Sequence, residues 1–242
     1  MRYLWILLNA CIWTFIFGLS GIFASIFESN KGKTLGSCAR LWGKFILFFT
    51  GVRYSVKGLN KLDPKGYYIF ACNHASGYDI PLAFAGLPYW LISIAKIELK
   101  SVLILGWVMK TAGHIFVDRK RSDSAMAALE RSKKSLIKNP RSILLFPEGT
   151  RTLDGNLGVF KRGGLMLSID TKMPIVPVAL VGTFGLLKKG TWSFNNQPIE
   201  IRIGNPINPK SFISKNKNIL AEHVRNQVAK LLDYDKKIKN YQ

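Results

Sequence analysis

Apolar positions along this chain first run together and then alternate with polar ones. Between Tyr3 and Phe27 there is no charged residue, and ~20 apolar residues are enough for a helix to cross a bilayer. Asn9, Thr14, Gly18, Ser20 and Gly21 interrupt the run. The stretch from Gly18 to Gly21 predicts a weak point or a place of close helix packing. A second apolar piece, Phe45 to Thr50, follows Lys31, Lys33, Arg40 and Lys44. It is too short to span alone. It extends an amphipathic helix beginning near Leu35, with Leu41, Trp42, Phe45, Phe48 and Phe49 on one broad face. The pattern admits a single span or a two-helix motif sunk into one leaflet. A cleaved signal peptide is disfavoured, because only Arg2 makes the start basic, the run is long and no A-x-A site closes it. Arg2, Lys31 and Lys33 are too few to fix an orientation.

From Val52 onward short strand-like runs alternate with helical ones. Tyr67–Ala71, Trp90–Ala95, Ile115–Val117, Ile143–Phe146, Ile175–Leu180 and Ile199–Ile203 read as strands. Ser122–Lys138 reads as a helix with Ala125, Leu129, Ser132 and Leu136 on one face and Ser122 or Ser124 as a cap. Glu98–Lys110 and Asn218–Leu232 are further helices. The alternation predicts an α/β sheet with helices packed on it. The chain therefore divides into a membrane-associated helical motif, residues 1–52, and an α/β domain, residues 53–242. The polar tail Asp233–Gln242 is expected to fray.

Charge adds a partner class. Lys and Arg number 35 against 14 Asp and Glu, a net charge of +21, which calls for a polyanion. Nucleic acid and an anionic membrane surface both qualify. A mean hydropathy of +0.12 with 12% aromatic residues, beside the apolar leader, favours the membrane and no nucleic acid. Cys11, Cys38 and Cys72 are widely spaced without a C-x-x-C, and His74, His114 and His223 have no metal-ligand spacing. Neither a disulfide framework nor a metal site is expected, and the domain is expected to face a reducing compartment.

Four short motifs carry candidate chemistry. Asn73-His74-Ala75-Ser76-Gly77-Tyr78-Asp79 follows a strand. On an ideal helix His74 and Asp79 would lie ~140° apart, but a turn at Ser76-Gly77 could fold the carboxylate back onto the imidazole and make a directed base. The competing reading is a turn whose His and Asp merely cap the next helix. Phe146-Pro147-Glu148-Gly149-Thr150-Arg151 ends another strand, with backbone N–H groups and a guanidinium fork suited to phosphate, and Lys161 and Arg162 lie ten residues on. In Gly113–Arg121 a strand ends in a basic cluster, where Asp118 could pair with Arg119 or another arginine. In Met173-Pro174-Ile175-Val176-Pro177-Val178 two prolines suit a sheet edge or a pocket wall.

NHASGYD at 73–79, GHIFVDR at 113–119, FPEGTR at 146–151 and MPIVPV at 173–178, in that order, resemble the glycerolipid acyltransferase family, and within it the bacterial 1-acyl-sn-glycerol-3-phosphate acyltransferases. The likeness covers roughly residues 55–210. It implies a mixed β-sheet flanked by helices. It further implies that His74 is the general base and that Asp79 orients and charges it. Glu148, Gly149, Thr150 and Arg151 would shape the acceptor site, with Arg151 and Arg119 on its phosphate. The donor would be an acyl thioester of acyl-carrier protein or coenzyme A, with no cofactor and no acyl-enzyme. Membrane lipids, and acyl-carrier protein where it is the donor, are the implied partners, at the cytoplasmic face of the inner membrane. The rival is an acyltransferase for another lysolipid. A serine hydrolase is disfavoured because no G-x-S-x-G is present. Gly32-Lys33-Thr34 lacks the first P-loop glycine, since Phe27 stands there.

Overall fold

The computed structural model describes residues 2–28, 32–191, 193–212 and 217–233. Lys31 and nearly all of the tail expected to fray lie outside the described residues. The apolar leader forms α1 (Arg2–Ile26), and α2 (Lys33–Phe49) folds back along it. The pairing is antiparallel: the Trp5 indole N–H donates to the Phe49 carbonyl at 3.0 Å, and that of Trp42 to the Thr14 hydroxyl at 3.0 Å. Trp13 packs its ring on Phe45 and Phe49. The glycines of α1 are points of close approach, Gly21 against Leu35 and Cys38, and Gly18 against Val108. Two of its polar residues are satisfied within the helix, as lipid would require. Asn9 donates to the Trp5 carbonyl and accepts from the Trp13 indole, and Ser25 donates to the Ile22 carbonyl. The expected broad face of α2 is divided: Trp42 and Phe45 face α1, whereas Leu41 and Phe48 are exposed.

Seven strands form one sheet: β1 (Tyr54–Lys57), β2 (Ile69–Cys72), β3 (Leu91–Lys96), β4 (Ile115–Val117), β5 (Ser142–Leu145), β6 (Ile175–Val181) and β7 (Ile199–Ile203). Their order is β1-β7-β6-β2-β5-β3-β4. Neighbours are parallel except β6 and β7. Five strands thus run one way and β1 with β7 the other, so the sheet is mixed. The remaining helices are α3 (Asp79–Gly86), α4 (Leu105–Thr111), α5 (Ser122–Lys138), α6 (Arg162–Thr171), α7 (Thr183–Leu186) and α8 (Lys217–Leu232). Both sheet faces are covered, which is why the central strands read as continuous apolar runs. Along β2, Phe70 and Cys72 join a core with Leu47 of α2 and Leu82 of α3, while Ile69 and Ala71 join one with Leu129 of α5, Leu165 of α6 and Val224 of α8.

Four expectations need correction. β1 escaped notice because Tyr-Ser-Val-Lys is short and half exposed. The helix expected over Glu98–Lys110 is broken into a 3-10 turn, Ile97–Ser101, and α4, because Ile104 takes φ 65 and ψ −58 between them. Neither Ser122 nor Ser124 caps α5, whose cap residue is Arg121. The strand of Pro177 lies between β7 and β2 and not at an edge. Proline is tolerated there because its missing N–H points toward the interrupted stretch between the β7 ladder, which ends at Ile203, and the Ile175–Ile207 bridge.

The five parallel strands share a carboxyl edge. The chain leaves β2 there into Asn73-His74, β4 into Asp118-Arg119, β5 into Phe146–Arg151 and β6 into Gly182. Ligands of open α/β sheets bind at this edge.

Candidate active site

Each side chain at this edge is held by a neighbour far away in sequence. Asn73 clasps the backbone of β6: its amide N–H₂ donates to the Leu180 carbonyl at 3.1 Å, and its oxygen accepts the Leu180 N–H at 2.7 Å. His74 follows, its ring stacked on Phe146 with centroids 4.1 Å apart. Its Nδ1 lies 2.8 Å from Asp79 Oδ2. Asp79 is fully buried in the first turn of α3. The same Oδ2 accepts the Ala75 N–H at 2.6 Å and the Ser76 N–H at 2.8 Å. Because an ionised carboxylate only accepts, Nδ1 carries the proton, and Nε2 keeps its lone pair for a substrate. The turn between them needs no left-handed residue: Gly77 is absent from the positive-φ glycines. Gly77 lies under Arg151, whose Nη1 would stand 3.6 Å, an ordinary contact distance, from a Cβ placed there.

Glu148 ties this turn to the next loop. Its Oε1 accepts the His74 N–H at 2.6 Å and its Oε2 the Gly158 N–H at 2.9 Å. Burial pushes its carboxyl above the ordinary glutamate range, against the pull of those two donors. The His74 carbonyl in turn accepts the Thr152 N–H at 2.9 Å. From α8, Arg225 donates to the Gly158 and Leu157 carbonyls, both at 2.8 Å. His74 is therefore fixed at its backbone by one loop and at its ring by Asp79.

The turn at Gly149–Arg151 collects cations. Arg119 donates to the Gly149 carbonyl, Lys189 donates to the Thr150 hydroxyl at 3.1 Å, and the Lys161 Nζ lies 3.3 Å from where a Gly149 Cβ would be. Arg151 reaches over Gly77 toward the His74 turn. Asp118 pairs with Arg121, at 3.4 Å, and not with Arg119. A cavity of about 100 Å³ opens beside His74, walled by Asn73, Glu148, Leu180, Gly182, Phe184 and Leu232 among others. A base with a free lone pair beside a cationic turn can take a proton from a hydroxyl whose molecule also carries a phosphate.

A family model described as Acyltransferase matches residues 53–181. The chain belongs to the acyltransferase family. It is 32% identical over 89% of its length to the 1-acyl-sn-glycerol-3-phosphate acyltransferase of Saccharomyces cerevisiae, covering 72% of that protein. With 1-acyl-sn-glycerol-3-phosphate acyltransferase alpha of Homo sapiens it shares 29% identity over 78% of its length and 67% of that protein. With the 1-acyl-sn-glycerol-3-phosphate acyltransferase of Cocos nucifera it shares 30% over 68% of its length but only 53% of that protein. The chain thus spans between about half and three quarters of the length of these curated relatives. The crystal structure of the 1-acyl-sn-glycerophosphate (LPA) acyltransferase, PlsC, from Thermotoga maritima superposes with a TM-score of 0.76 at 28% identity, covering 96% of this chain and 98% of that one.

For this acyltransferase the site brings His74 and Asp79 into contact and gathers Arg119, Gly149, Thr150 and Arg151 around one turn. Glu148 walls the same cavity, and both its oxygens are also taken by backbone donors, so it holds His74 in place as well. Sequence reasoning missed Asn73, Gly158 and Arg225. Asn73 stands inside the first motif, and an asparagine just past a buried strand is a usable signal for backbone clasping. Gly158 and Arg225 carry no local signal, because their partners lie ten and about seventy residues away. His114, also in a motif, is structural. Burial, with Arg141 nearby, lowers its pKa to about 4, and Nδ1 accepts the Ser93 N–H at 3.0 Å.

Proposed function

We propose that this acyltransferase moves an acyl chain from a thioester to the sn-2 hydroxyl of 1-acyl-sn-glycerol 3-phosphate, giving phosphatidic acid. The observation that carries the reading is the His74–Asp79 contact beside the Gly149–Arg151 turn and its cations. His74 Nε2 takes the hydroxyl proton as the oxygen attacks the thioester carbonyl carbon. The C–S bond then breaks, and the imidazolium returns the proton to the departing thiolate. Asp79 stabilises the imidazolium in between. Arg151, with Arg119, grips the phosphomonoester oxygens. The donor is acyl-carrier protein or coenzyme A carrying the acyl group. No other cofactor enters this scheme.

The acceptor and product are bilayer lipids, so the enzyme works at the membrane, at its cytoplasmic face in the inner membrane. The outer face of α1, where Leu4, Leu8, Ile12, Phe15 and Phe23 are exposed, supports embedding of the α1–α2 hairpin in one leaflet.

The test is a comparison of acceptors with purified protein: lysophosphatidic acid, a neutral monoacylglycerol, and a lysophospholipid whose phosphate is blocked. A charge-assisted bond is worth ~1.5–3 kcal/mol, or roughly ten- to a hundred-fold. The free phosphomonoester should be preferred by at least that factor, and Arg151→Ala should erase the preference through the acceptor KM. Arg151→Lys should restore it in part, because an ammonium keeps the charge without the fork. Equal rates on all three acceptors would instead favour a different lysolipid as substrate.

A further inference from the structure

We propose that the turn carrying Val102, Leu103 and Trp107 is a second lipid-inserting element, set beside α1 on the catalytic edge. The proposal rests on the membrane reading above and names a part of the α/β domain that takes part in it. Val102 and Leu103 follow the 3-10 turn Ile97–Ser101, which leaves the carboxyl end of β3. β3 and β2 are both parallel to β5, so this turn and His74 lie on one edge of the sheet.

The side chains here point into solvent. Leu103 is 89% exposed and Trp107 64%. Folding normally removes such groups from water, with a gain that grows with the apolar area covered. The backbone nevertheless holds them out. Ile104 sits at φ 65 and ψ −58, a strained conformation that β-branched residues rarely take. Strain that projects a leucine outward is understandable when the medium outside is apolar.

Continuity and charge identify that medium as lipid. A Cβ at Gly18 of α1 would lie 2.8 Å from the Val108 Cγ2 and 3.7 Å from the Ile104 Cγ2, so α4 rests directly on the apolar leader. β1 runs against β2, and α2 therefore ends at the catalytic edge on its way into β1. Phe48, at the end of α2, and Leu4, at the start of α1, are both exposed there; the Trp5–Phe49 hydrogen bond keeps these two helix ends together. Lys100 and Lys110 are exposed on either side of the turn, where cations would meet anionic headgroups. Trp107 is of the type enriched at the membrane–water interface. With the leader on one side and this turn on the other, the edge carrying His74 is held facing the bilayer from which its acceptor comes.

The experiment uses the full chain with Cys11→Ala and Cys38→Ala, which leaves Cys72 buried, and a polarity-sensitive fluorophore on Leu103→Cys. The reference site is Lys138→Cys, which is exposed and lies just before β5 at the opposite edge of the sheet. On vesicles of phosphatidylethanolamine and phosphatidylglycerol, the label at 103 should shift to the blue and be quenched by lipids carrying a nitroxide on the acyl chain. The label at 138 should do neither. Leu103→Asp should partition onto the same vesicles at least roughly ten-fold more weakly, with turnover of a short-chain soluble acceptor unchanged. A label at 103 that stays in water on vesicle-bound protein, or a Leu103→Asp chain that binds like the parent, would overturn the proposal. Failure of acyl transfer on every acceptor would strike the catalytic reading instead, since the label reports depth alone.

Discussion

Gly158→Ala isolates the contribution of Glu148 without replacing the base or any cation of the Gly149–Arg151 turn. A Cβ at this position would stand 2.8 Å from Glu148 Oε2, 3.5 Å from its Cγ and 3.6 Å from its Cδ. The first distance is closer than real Cβ contacts, so the carboxylate or the loop must move by several tenths of an ångström. The loop has little freedom, because Arg225 holds the Leu157 and Gly158 carbonyls. The carboxylate therefore moves, and it weakens both the Gly158 bond and the 2.6 Å bond to the His74 N–H. Losing one charge-assisted bond amounts to ~1.5–3 kcal/mol. Misplacing a catalytic group by ~1 Å costs on the order of 10²-fold. The expected result is a kcat lower by roughly ten- to a hundred-fold, with the KM of both substrates little changed. Glu148→Gln should behave alike, because one of its two positions would present N–H₂ to a backbone N–H. Steady-state kinetics with both substrates varied provide the assay. A Gly158→Ala enzyme with parental kcat would refute the argument. A rise in acceptor KM alone would show that Glu148 contacts the acceptor directly.

Two further outcomes follow from the same geometry. Asp79→Asn should fold, because asparagine can offer its oxygen where Oδ2 now takes three donors and turn its N–H₂ toward the position of Oδ1, which has no partner among the described residues. Its kcat should nonetheless fall roughly 10²–10⁴-fold for want of the charge opposite the imidazolium. His114 is neutral in the fold down to about pH 4, whereas in the unfolded chain it protonates near ~6.5. The unfolded state thus binds the extra proton first. The resulting stability is complete above pH ~6.5, and about 3 kcal/mol of it is lost as pH falls toward 4. His114→Gln should flatten this part of a plot of Tm against pH, and an unchanged slope would contradict the assignment.

What was legible in the sequence was what local pattern encodes. The buried parallel strands announced themselves as short apolar runs, α5 showed its period, and the His74–Asp79 spacing followed by Pro81 allowed the contact that forms. The two-helix alternative for the leader was visible in the apolar residues of α2. Illegible were the features that depend on distant partners or on a single strained residue. The break at Ile104 contradicts a helix-compatible sequence; it is held by the backbone bonds of Leu105 and Gly106 across the turn and by packing against α1. The placement of Pro177 depends on where the β7 ladder stops. That Glu148 also holds the His74 backbone could not be read from the motif, which shows it only beside Gly149, Thr150 and Arg151. Its backbone partners, His74 and Gly158, are fixed by the adjacency of β2 and β5 and by a loop pinned from α8. The resemblance of four motifs named the chemistry, but the division of labour among their residues came from the fold.

The central claim is that His74, charged through Asp79, takes the proton from the acceptor hydroxyl. A single-turnover reaction tests it most directly: purified protein in excess over a labelled acyl thioester, with lysophosphatidic acid as acceptor, phosphatidic acid measured by mass and released thiol by titration. The parental chain should form the two products in equal amounts. His74→Ala, bound to the same vesicles and with the same thermal stability, should form both roughly 10²–10⁴-fold more slowly. Phosphatidic acid appearing at the parental rate from His74→Ala would contradict the account.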